Sequence, residues 1–378
     1  EAAMKMPVFE LERYFARHEF GAPYLLSSSD METMRMDELL ALADGEGRRM
    51  WDDLALGYTE PQGHPRLREE IASLYETVPP EGVLVFSGAE EAIFALASVV
   101  AGGGPGRRAA VVWPAYQSLH EVARSAGAAV DLLELKHEEG WALDPDALDD
   151  LLGPSTDLVV LNFPHNPTGS QPDQETFARA VSSAGGAGAT VLSDEVYRLL
   201  EHDPADRLPA AADLHEGAAS LGVMSKSFGL AGLRIGWLAT RDLDLLSWVA
   251  AFKDYTTICN SAPSEVLALI ALRAKEEILG RNLRIVLDNL PRADAFFEKW
   301  RGTFEWARPR VGCIGFPRLL ADVPAEAFAA ELVEAEGVML LPGSVYGHPA
   351  NHFRFGLGRQ NFPEALERLD RFAEERLA

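Results

Sequence analysis

The chain has 378 residues, of which 47% are hydrophobic and 24% charged, a composition typical of a folded protein and long enough for two domains. Its formal net charge of −24 argues against binding to nucleic acid or to anionic membrane surfaces, since both require basic patches. No apolar stretch approaches the roughly 20 residues of a membrane-spanning helix, and no secretory signal is visible. We therefore expect a cytoplasmic protein that acts on small molecules.

The sequence offers no support for a metal site. Its nine histidines show no paired spacing. Cys259 and Cys313 are far apart and lack the spacing of metal ligands. We therefore expect no bound metal, and two reduced cysteines that pack as small apolar residues.

Short apolar runs alternate with helical stretches through the middle of the chain. Their apolarity is continuous rather than alternating, which indicates strands covered on both faces, as in a mainly parallel sheet between helices. The predicted strands are residues 82–86, 109–113, 157–163, 189–194 and 221–225. After about residue 240 the pattern becomes mostly helical.

Short strands return near residues 338–341 and 352–357, before a last amphipathic helix from Pro363. The sequence thus predicts an α/β fold with two domains. The large domain would comprise residues 46–270 and contain the parallel sheet. A smaller α+β domain would be formed by both chain ends, residues 1–45 and 271–378.

Polar residues occur where predicted strands end, which is where open α/β sheets place ligands. Ser87 and Gly88 turn the chain after the first strand, and the helix that follows would offer the free amides of Ala89 and Glu90 to a phosphate. The same pattern would also serve as an ordinary helix cap. Tyr116 follows the next strand and would either stack on a flat ring or simply pack.

Two further strand ends carry polar side chains. Asn166 begins the turn "NPTG", which would hold its amide outside the sheet. Asp194 closes a buried strand, where a carboxylate without a cationic partner is costly. Tyr197 follows three residues later and would face the same space if the chain turns helical there.

The stretch "VMSKSFGLAGLRIGW" at residues 223–237 completes the set. It places an amine, two hydroxyls and a guanidinium within ten residues, on Lys226, Ser225, Ser227 and Arg234. Together these groups would bind a phosphate, an aromatic ring, a ring cation and an electrophilic carbon at one edge of a sheet. That combination describes pyridoxal 5'-phosphate as the cofactor.

The motifs together identify a family. In order they are "SGAEEA", "PAY", "NFPHNPTG", "SDEVYR", "SKSFGLAGLRIGW" and "FRFGLG". With them the chain resembles the class I and II aminotransferases, which are pyridoxal phosphate enzymes of fold type I, from about residue 56 to the C-terminus. The expected function is therefore transfer of an amino group between an L-amino acid and a 2-oxo acid.

The resemblance also implies roles for individual residues. Lys226 would be the lysine that bonds to the cofactor and shuttles the proton, with Asp194 paired to the ring nitrogen. Asn166 and Tyr197 would bind the ring's phenolic oxygen, with Tyr197 counted among the catalytic residues and Asn166 also close to the substrate. Arg354 of "FRFG" would hold the substrate α-carboxylate, for which a guanidinium is suited.

Tyr58 would reach the phosphate of a neighbouring subunit, since the family is dimeric with sites at the subunit boundary. The resemblance thus implies a homodimer.

One segment departs from the family pattern. Many members have a glycine-containing loop, roughly "L-x-x-G-x-P", near the substrate, whereas this chain has "LLSSSDMETMRM" at residues 25–36. Ser28 is the substrate-binding candidate there. If Asp30 or Glu32 lines the pocket, a basic substrate such as arginine or ornithine would fit.

These serines are also similar to those of capreomycidine synthase, which dehydrates and cyclises an arginine derivative. A lyase or cyclase acting on a basic amino acid is therefore the alternative function.

Overall fold

The structure, a computed structural model, describes residues 5–104 and 106–377. Its centre is a seven-stranded sheet whose strands are β1 (Val83–Phe86), β2 (Arg108–Trp113), β3 (Ala129–Glu134), β4 (Thr156–Asn162), β5 (Thr190–Asp194), β6 (Ala218–Val223) and β7 (Gly236–Thr240). They are arranged in the order β1-β7-β6-β5-β4-β2-β3. Strands β2 to β6 are parallel, and β7 is antiparallel to both its neighbours. This confirms the predicted α/β fold with a mainly parallel sheet.

Burial on both faces explains why the strands are continuously apolar. In β4, Leu158 and Val160 join the core on one face of the sheet, whereas Val159 and Leu161 join the core on the other. Successive side chains of a strand point to opposite faces, so every position must be apolar when helices cover both. Strand β6 ends at Val223, two residues before the predicted end.

The described residues form fourteen α-helices, several of which cover the two faces of this sheet. They are α1 (Glu10–His18), α2 (Met36–Ala41), α3 (Gly45–Asp52), α4 (Pro65–Ala72), α5 (Ala89–Ala101), α6 (Ser118–Ser125), α7 (Pro145–Leu151), α8 (Gln174–Gly186), α9 (Ala211–Leu214), α10 (Leu243–Lys253), α11 (Ala262–Arg273), α12 (Lys275–Lys299), α13 (Ala325–Glu336) and α14 (Phe362–Leu377). Helix α5 packs on one face of the sheet and α8 on the other. No helix in these ranges is long and apolar enough to cross a membrane.

The last third of the chain forms small antiparallel sheets beside α12 to α14. Their strands are β8 (Phe304–Glu305), β9 (Ile314–Gly315), β10 (Arg318–Leu319), β11 (Leu341–Pro342) and β12 (Phe353–Gly356). A bridge between Tyr24 and Val338 ties the N-terminal segment to this region. The segment around Tyr24 therefore meets the last third of the chain there, and the division into a large domain of residues 46–270 and a small domain from both chain ends stays a prediction.

Candidate active site

A cavity of about 390 Å³ opens where the parallel strands end. Asp194 is the last residue of β5, Asn166 follows the end of β4, and Lys226 follows the end of β6, so the sheet itself brings these side chains to one edge. The residues that line the cavity are Leu11, Glu12, Phe15, Glu19, Ser29, Asp30, Ala89, Glu90, Ile93, Tyr116, Asn166, Asp194, Val196, Val223, Ser225, Lys226, Ala231, Arg234 and Arg354.

One side of the cavity is built to receive an anion. Helix α5 begins at Ala89 without a side-chain cap, so its first amides are not satisfied by a cap residue. Gly88 precedes it with φ 97°, and a Cβ at Gly88 would lie 2.5 Å from Nη2 of Arg234. Glycine is therefore required for this guanidinium to approach the helix terminus. Free amides beside a cation fit the phosphate of the cofactor.

Arg234 reaches this place from a strained backbone. Its φ of 49° lies in the left-handed region, which costs a non-glycine residue of order 1–3 kcal/mol. Its Nη1 lies 3.5 Å from Oγ of Ser225, at the limit of a hydrogen bond. Ser227, by contrast, donates to the carbonyl oxygens of Val196 (3.2 Å) and Arg198 (3.0 Å) and does not line the cavity.

Lys226 projects into the cavity from the segment after β6. Its Nζ donates a hydrogen bond to Oγ of Ser29 at 2.9 Å. Burial lowers the pKa of the ammonium group, and the charge of Arg354 lowers it further, against the opposing effect of Asp30. A larger fraction of the amine is then uncharged at neutral pH, as a nucleophile and proton acceptor requires.

Asp194 is a buried carboxylate that lacks a cationic side-chain partner among the described residues. It is 5% exposed, and it accepts a hydrogen bond from the backbone N–H of Val196 at 3.3 Å. Burial raises its pKa to about 7. A positively charged ring nitrogen would stabilise the ionised form, so this carboxylate fits the pyridine ring of the cofactor.

Arg354 lies on β12, is 2% exposed and lines the same cavity. Its Nε donates to the carbonyl oxygen of Ser27 at 2.9 Å, and its Nη1 donates to the hydroxyl of Tyr346 at 2.7 Å. That hydroxyl in turn donates to Oδ1 of Asn166 at 3.0 Å. The guanidinium carbon lies 5.4 Å from the ring centre of Phe15. These two hydrogen bonds hold the Arg354 guanidinium in place. Its other N–H groups can donate hydrogen bonds to a ligand.

Five predicted site residues lie outside the cavity lining, namely Ser227, Gly88, Tyr197, Ser28 and Tyr58. Tyr197 is buried and donates its hydroxyl to the carbonyl oxygen of Ser29 at 2.8 Å. The hydroxyl of Ser28 accepts from Nη2 of Arg359 at 3.3 Å, and it is the next residue, Ser29, that lines the cavity. Tyr58 is 93% exposed. Their assigned roles stay predictions.

The site also contains residues that the sequence analysis missed. Tyr346 has no motif around it and is found only through its contact with Arg354. One face of helix α1 covers the cavity and contributes Glu12 and Phe15 to its lining. Glu19, directly after the last residue of α1, lines the cavity as well. The hydroxyl of Tyr116 donates to Oε1 of Glu12 at 3.0 Å. Nothing in the sequence indicates which face of α1 points inward.

Glu90 was predicted for its backbone amide, but its side chain also matters. Its Oε2 accepts from the hydroxyl of Ser118 at 2.9 Å. Burial raises the pKa of the Glu90 carboxyl to about 7. This carboxyl group therefore changes charge near neutral pH, in the first turn of the helix that faces Arg234.

The comparisons with known proteins agree with this geometry. The model of the family "Aminotransferase class I and II" matches residues 26–369. Capreomycidine synthase of Streptomyces vinaceus is 31% identical over 371 residues, covering 98% of this chain and 94% of that protein. A solved pyridoxal phosphate-dependent aminotransferase from Streptococcus suis superimposes with a TM-score of 0.91 at 29% identity, covering 98% of both chains. The pyridoxal phosphate-dependent cyclase OrfR gives a TM-score of 0.89 at 28% identity, again over 98% of both chains.

The chain therefore belongs to the class I and II aminotransferase family, as its motifs predicted. Its cofactor is pyridoxal 5'-phosphate, and its fold is that of the fold-type I enzymes. The family includes both aminotransferases and enzymes named as a synthase or a cyclase. Membership thus establishes the cofactor and the class of substrate, an amino acid, but not the reaction.

Proposed function

We propose that the protein is an aminotransferase that moves an amino group between an L-amino acid and a 2-oxo acid. The observation that carries the proposal is that a single cavity is lined by Lys226, Asp194 and Arg354. An amine, a buried carboxylate and a fixed guanidinium are the three groups that this chemistry requires of the protein.

Each of these groups has a separate task. When bound, pyridoxal phosphate accepts the electron pair that the substrate α-carbon releases as it loses its proton. Lys226 takes that proton, and the burial that lowers the pKa of its ammonium group favours the uncharged amine that a base requires. Arg354 holds the α-carboxylate and so orients the α-hydrogen toward Lys226. Asp194 keeps the ring nitrogen charged.

The experiment is to add single amino acids to the cofactor-loaded protein without any 2-oxo acid and to follow the cofactor absorbance. An aminotransferase will stop after one turnover, with the cofactor in its amine form and one equivalent of 2-oxo acid released. Lys226→Ala is expected to lose both turnover and the lysine-bound cofactor absorbance, whereas Lys253→Ala, which removes a lysine outside the cavity, keeps that absorbance. A Lys226→Ala protein that kept both properties would end the proposal.

A lyase or cyclase acting on one amino acid is the second candidate, and the loop at Ser29 favours it. Nζ of Lys226 donates a hydrogen bond to the Ser29 hydroxyl. Lys226 could therefore pass a proton to Ser29, and Ser29 could pass its own proton to a leaving group of the substrate. The similarity to capreomycidine synthase over nearly the whole chain also supports this candidate. In the same experiment, a lyase or cyclase returns to its starting absorbance while ammonia or a cyclised product accumulates.

We also propose a cytoplasmic homodimer in which Tyr58 reaches the partner's phosphate site. The support is the nearly complete exposure of this tyrosine within a single chain. Sedimentation of the cofactor-loaded protein tests the dimer. A monomer with full activity would refute it.

A further inference from the structure

Helix α1 gives the cavity an excess of negative charge. Five carboxylates line the cavity, against three basic side chains. Two of the carboxylates belong to Glu12 of α1 and to Glu19, which directly follows α1; they are seven residues apart in sequence and therefore about two helical turns apart. A third, Asp30, comes from the serine-rich loop.

The basic groups of the loaded site already have partners of opposite charge. Arg234 belongs to the phosphate, Arg354 belongs to the α-carboxylate, and Lys226 bonds to the cofactor. Asp194 is matched by the ring nitrogen. None of these cations is then left for Glu12 or Glu19.

The neighbouring residues do not neutralise these two carboxylates either. Arg359 donates to Asp30 at 2.8 Å and to the carbonyl oxygen of Met31 at 2.5 Å, so its guanidinium is engaged by the loop. Within residues 5–104 and 106–377, the side chain of Glu12 accepts a hydrogen bond only from the neutral hydroxyl of Tyr116. Among the described residues, no side chain donates a hydrogen bond to Glu19 or forms a salt bridge with it.

The environment of Glu19 shows that the negative charge of these carboxylates is only partly balanced. Burial raises the pKa of its carboxyl group, and the negative charges of Asp30 and Glu12 raise it further, against the lowering effects of Arg359 and Lys226. A partly desolvated carboxylate beside two others is stabilised by a cation placed among them. Arg359 and Lys226 compensate only in part, and no described residue forms a salt bridge with Glu19.

We infer that the amino acid substrate carries a positively charged side chain, a guanidinium or an ammonium group, which Glu19 binds together with Glu12. The inference rests on the proposed function, since it assumes that Arg354 takes the α-carboxylate and so directs the side chain toward α1. Phe15, between the two glutamates in sequence, packs on Arg354, so the same helix touches both ends of the substrate.

The charge also restricts any second substrate. A 2-oxo acid with an acidic side chain would place a further carboxylate beside those of Glu12, Glu19 and Asp30. Neighbouring like charges repel each other, so such a substrate would bind weakly. If the reaction is transamination, the acceptor is therefore a 2-oxo acid with an uncharged side chain. A lyase or cyclase meets no such restriction, because it takes a single substrate.

The test compares L-arginine with L-citrulline, which has nearly the same shape and no side-chain charge. Calorimetric titration of the cofactor-loaded protein gives both affinities, and the cofactor absorbance reports whether each ligand reaches the cofactor. We expect arginine to bind at least about tenfold more tightly, the effect of a charge-assisted hydrogen bond. Repeating the titrations with L-lysine and L-norleucine tests the ammonium case in the same way.

Glu19→Gln is the informative variant, because it keeps the shape of the side chain and removes its charge. It is expected to weaken arginine binding by about tenfold and to change citrulline binding by less than about twofold. Glu10→Gln is the matched control, since it removes the same charge from α1 at an exposed residue that does not line the cavity. We expect it to leave both affinities unchanged.

The outcomes separate this inference from the proposed function. A protein that binds the cofactor and reacts equally well with charged and uncharged amino acids overturns the inference and leaves the proposed function intact. So does a Glu19→Gln protein that discriminates as well as the unmodified one. A protein whose cofactor absorbance responds to no amino acid overturns the proposed function instead.

Discussion

The contact between Tyr346 and Arg354 offers a sharp test of how the site holds the α-carboxylate. Tyr346→Phe removes one hydroxyl that accepts a hydrogen bond from Arg354 at 2.7 Å and donates one to Asn166 at 3.0 Å. The three side chains are buried, so water does not readily replace the lost partner. A hydrogen bond to a charged group contributes about 1.5–3 kcal/mol, which corresponds to roughly 10- to 150-fold in affinity.

The assay is titration of the cofactor-loaded protein with an amino acid and with the amine that lacks its carboxylate. Tyr346→Phe is expected to weaken amino acid binding by that factor and to leave binding of the amine unchanged. Tyr14→Phe serves as the control, since it removes a hydroxyl that donates to the carbonyl oxygen of Leu340 at 2.8 Å and does not line the cavity. Equal losses for the two ligands, or for the two variants, would refute the reasoning.

Two further predictions concern ionisable groups of the cavity. Asp194→Asn removes the negative charge that would pair with the ring nitrogen. If that pairing raises the pKa of the ring nitrogen by about one unit, its loss lowers turnover at least about tenfold. Because burial raises the pKa of Asp194 from 3.8 to about 7, the cofactor-free folded state binds more protons than the unfolded state between those values, and its stability falls as pH rises. Thermal unfolding at pH 5 and pH 8 should show a smaller fall in Asp194→Asn, and an equal fall would contradict this assignment. The Glu90 carboxyl, with its pKa raised to about 7, is neutral below that pH and charged above it, so affinity for pyridoxamine phosphate should decrease as pH rises through 7. Equilibrium binding to Glu90→Gln should show a weaker pH dependence, and identical profiles would rule out this role.

The parts of the site that sequence could predict share one property. Asn166, Asp194 and Lys226 follow directly on apolar runs, and the carboxyl ends of neighbouring parallel strands meet at one edge of a sheet. Local pattern therefore fixes their position. Ser28 shows the limit of this reasoning, because neighbouring residues of a loop can point in opposite directions, and Ser29 lines the cavity instead.

The acidic wall shows what a local pattern cannot predict. The sequence offers Asp30 and Glu32 equally as pocket residues. The structure places Asp30 in the cavity lining, whereas Glu32 accepts a hydrogen bond from the backbone N–H of Gln360. Glu12 and Glu19 carried no signal, since charged residues on a short helix usually face water. Their position at the cavity depends on how α1 docks.

The sequence by itself thus determined the family, the cofactor and five of the seven strands of the main sheet, because strand burial and turn chemistry are written in contiguous residues. It did not indicate β3, β7 or the order of the strands in the sheet. Only the tertiary structure decided which side chains surround the substrate. Arg354 meets the Ser27 carbonyl oxygen, and the Tyr14 hydroxyl of α1 meets the Leu340 carbonyl oxygen, through contacts between segments more than 300 residues apart. Such contacts depend on the packing of the chain ends against the sheet, and no periodicity in the sequence encodes that packing.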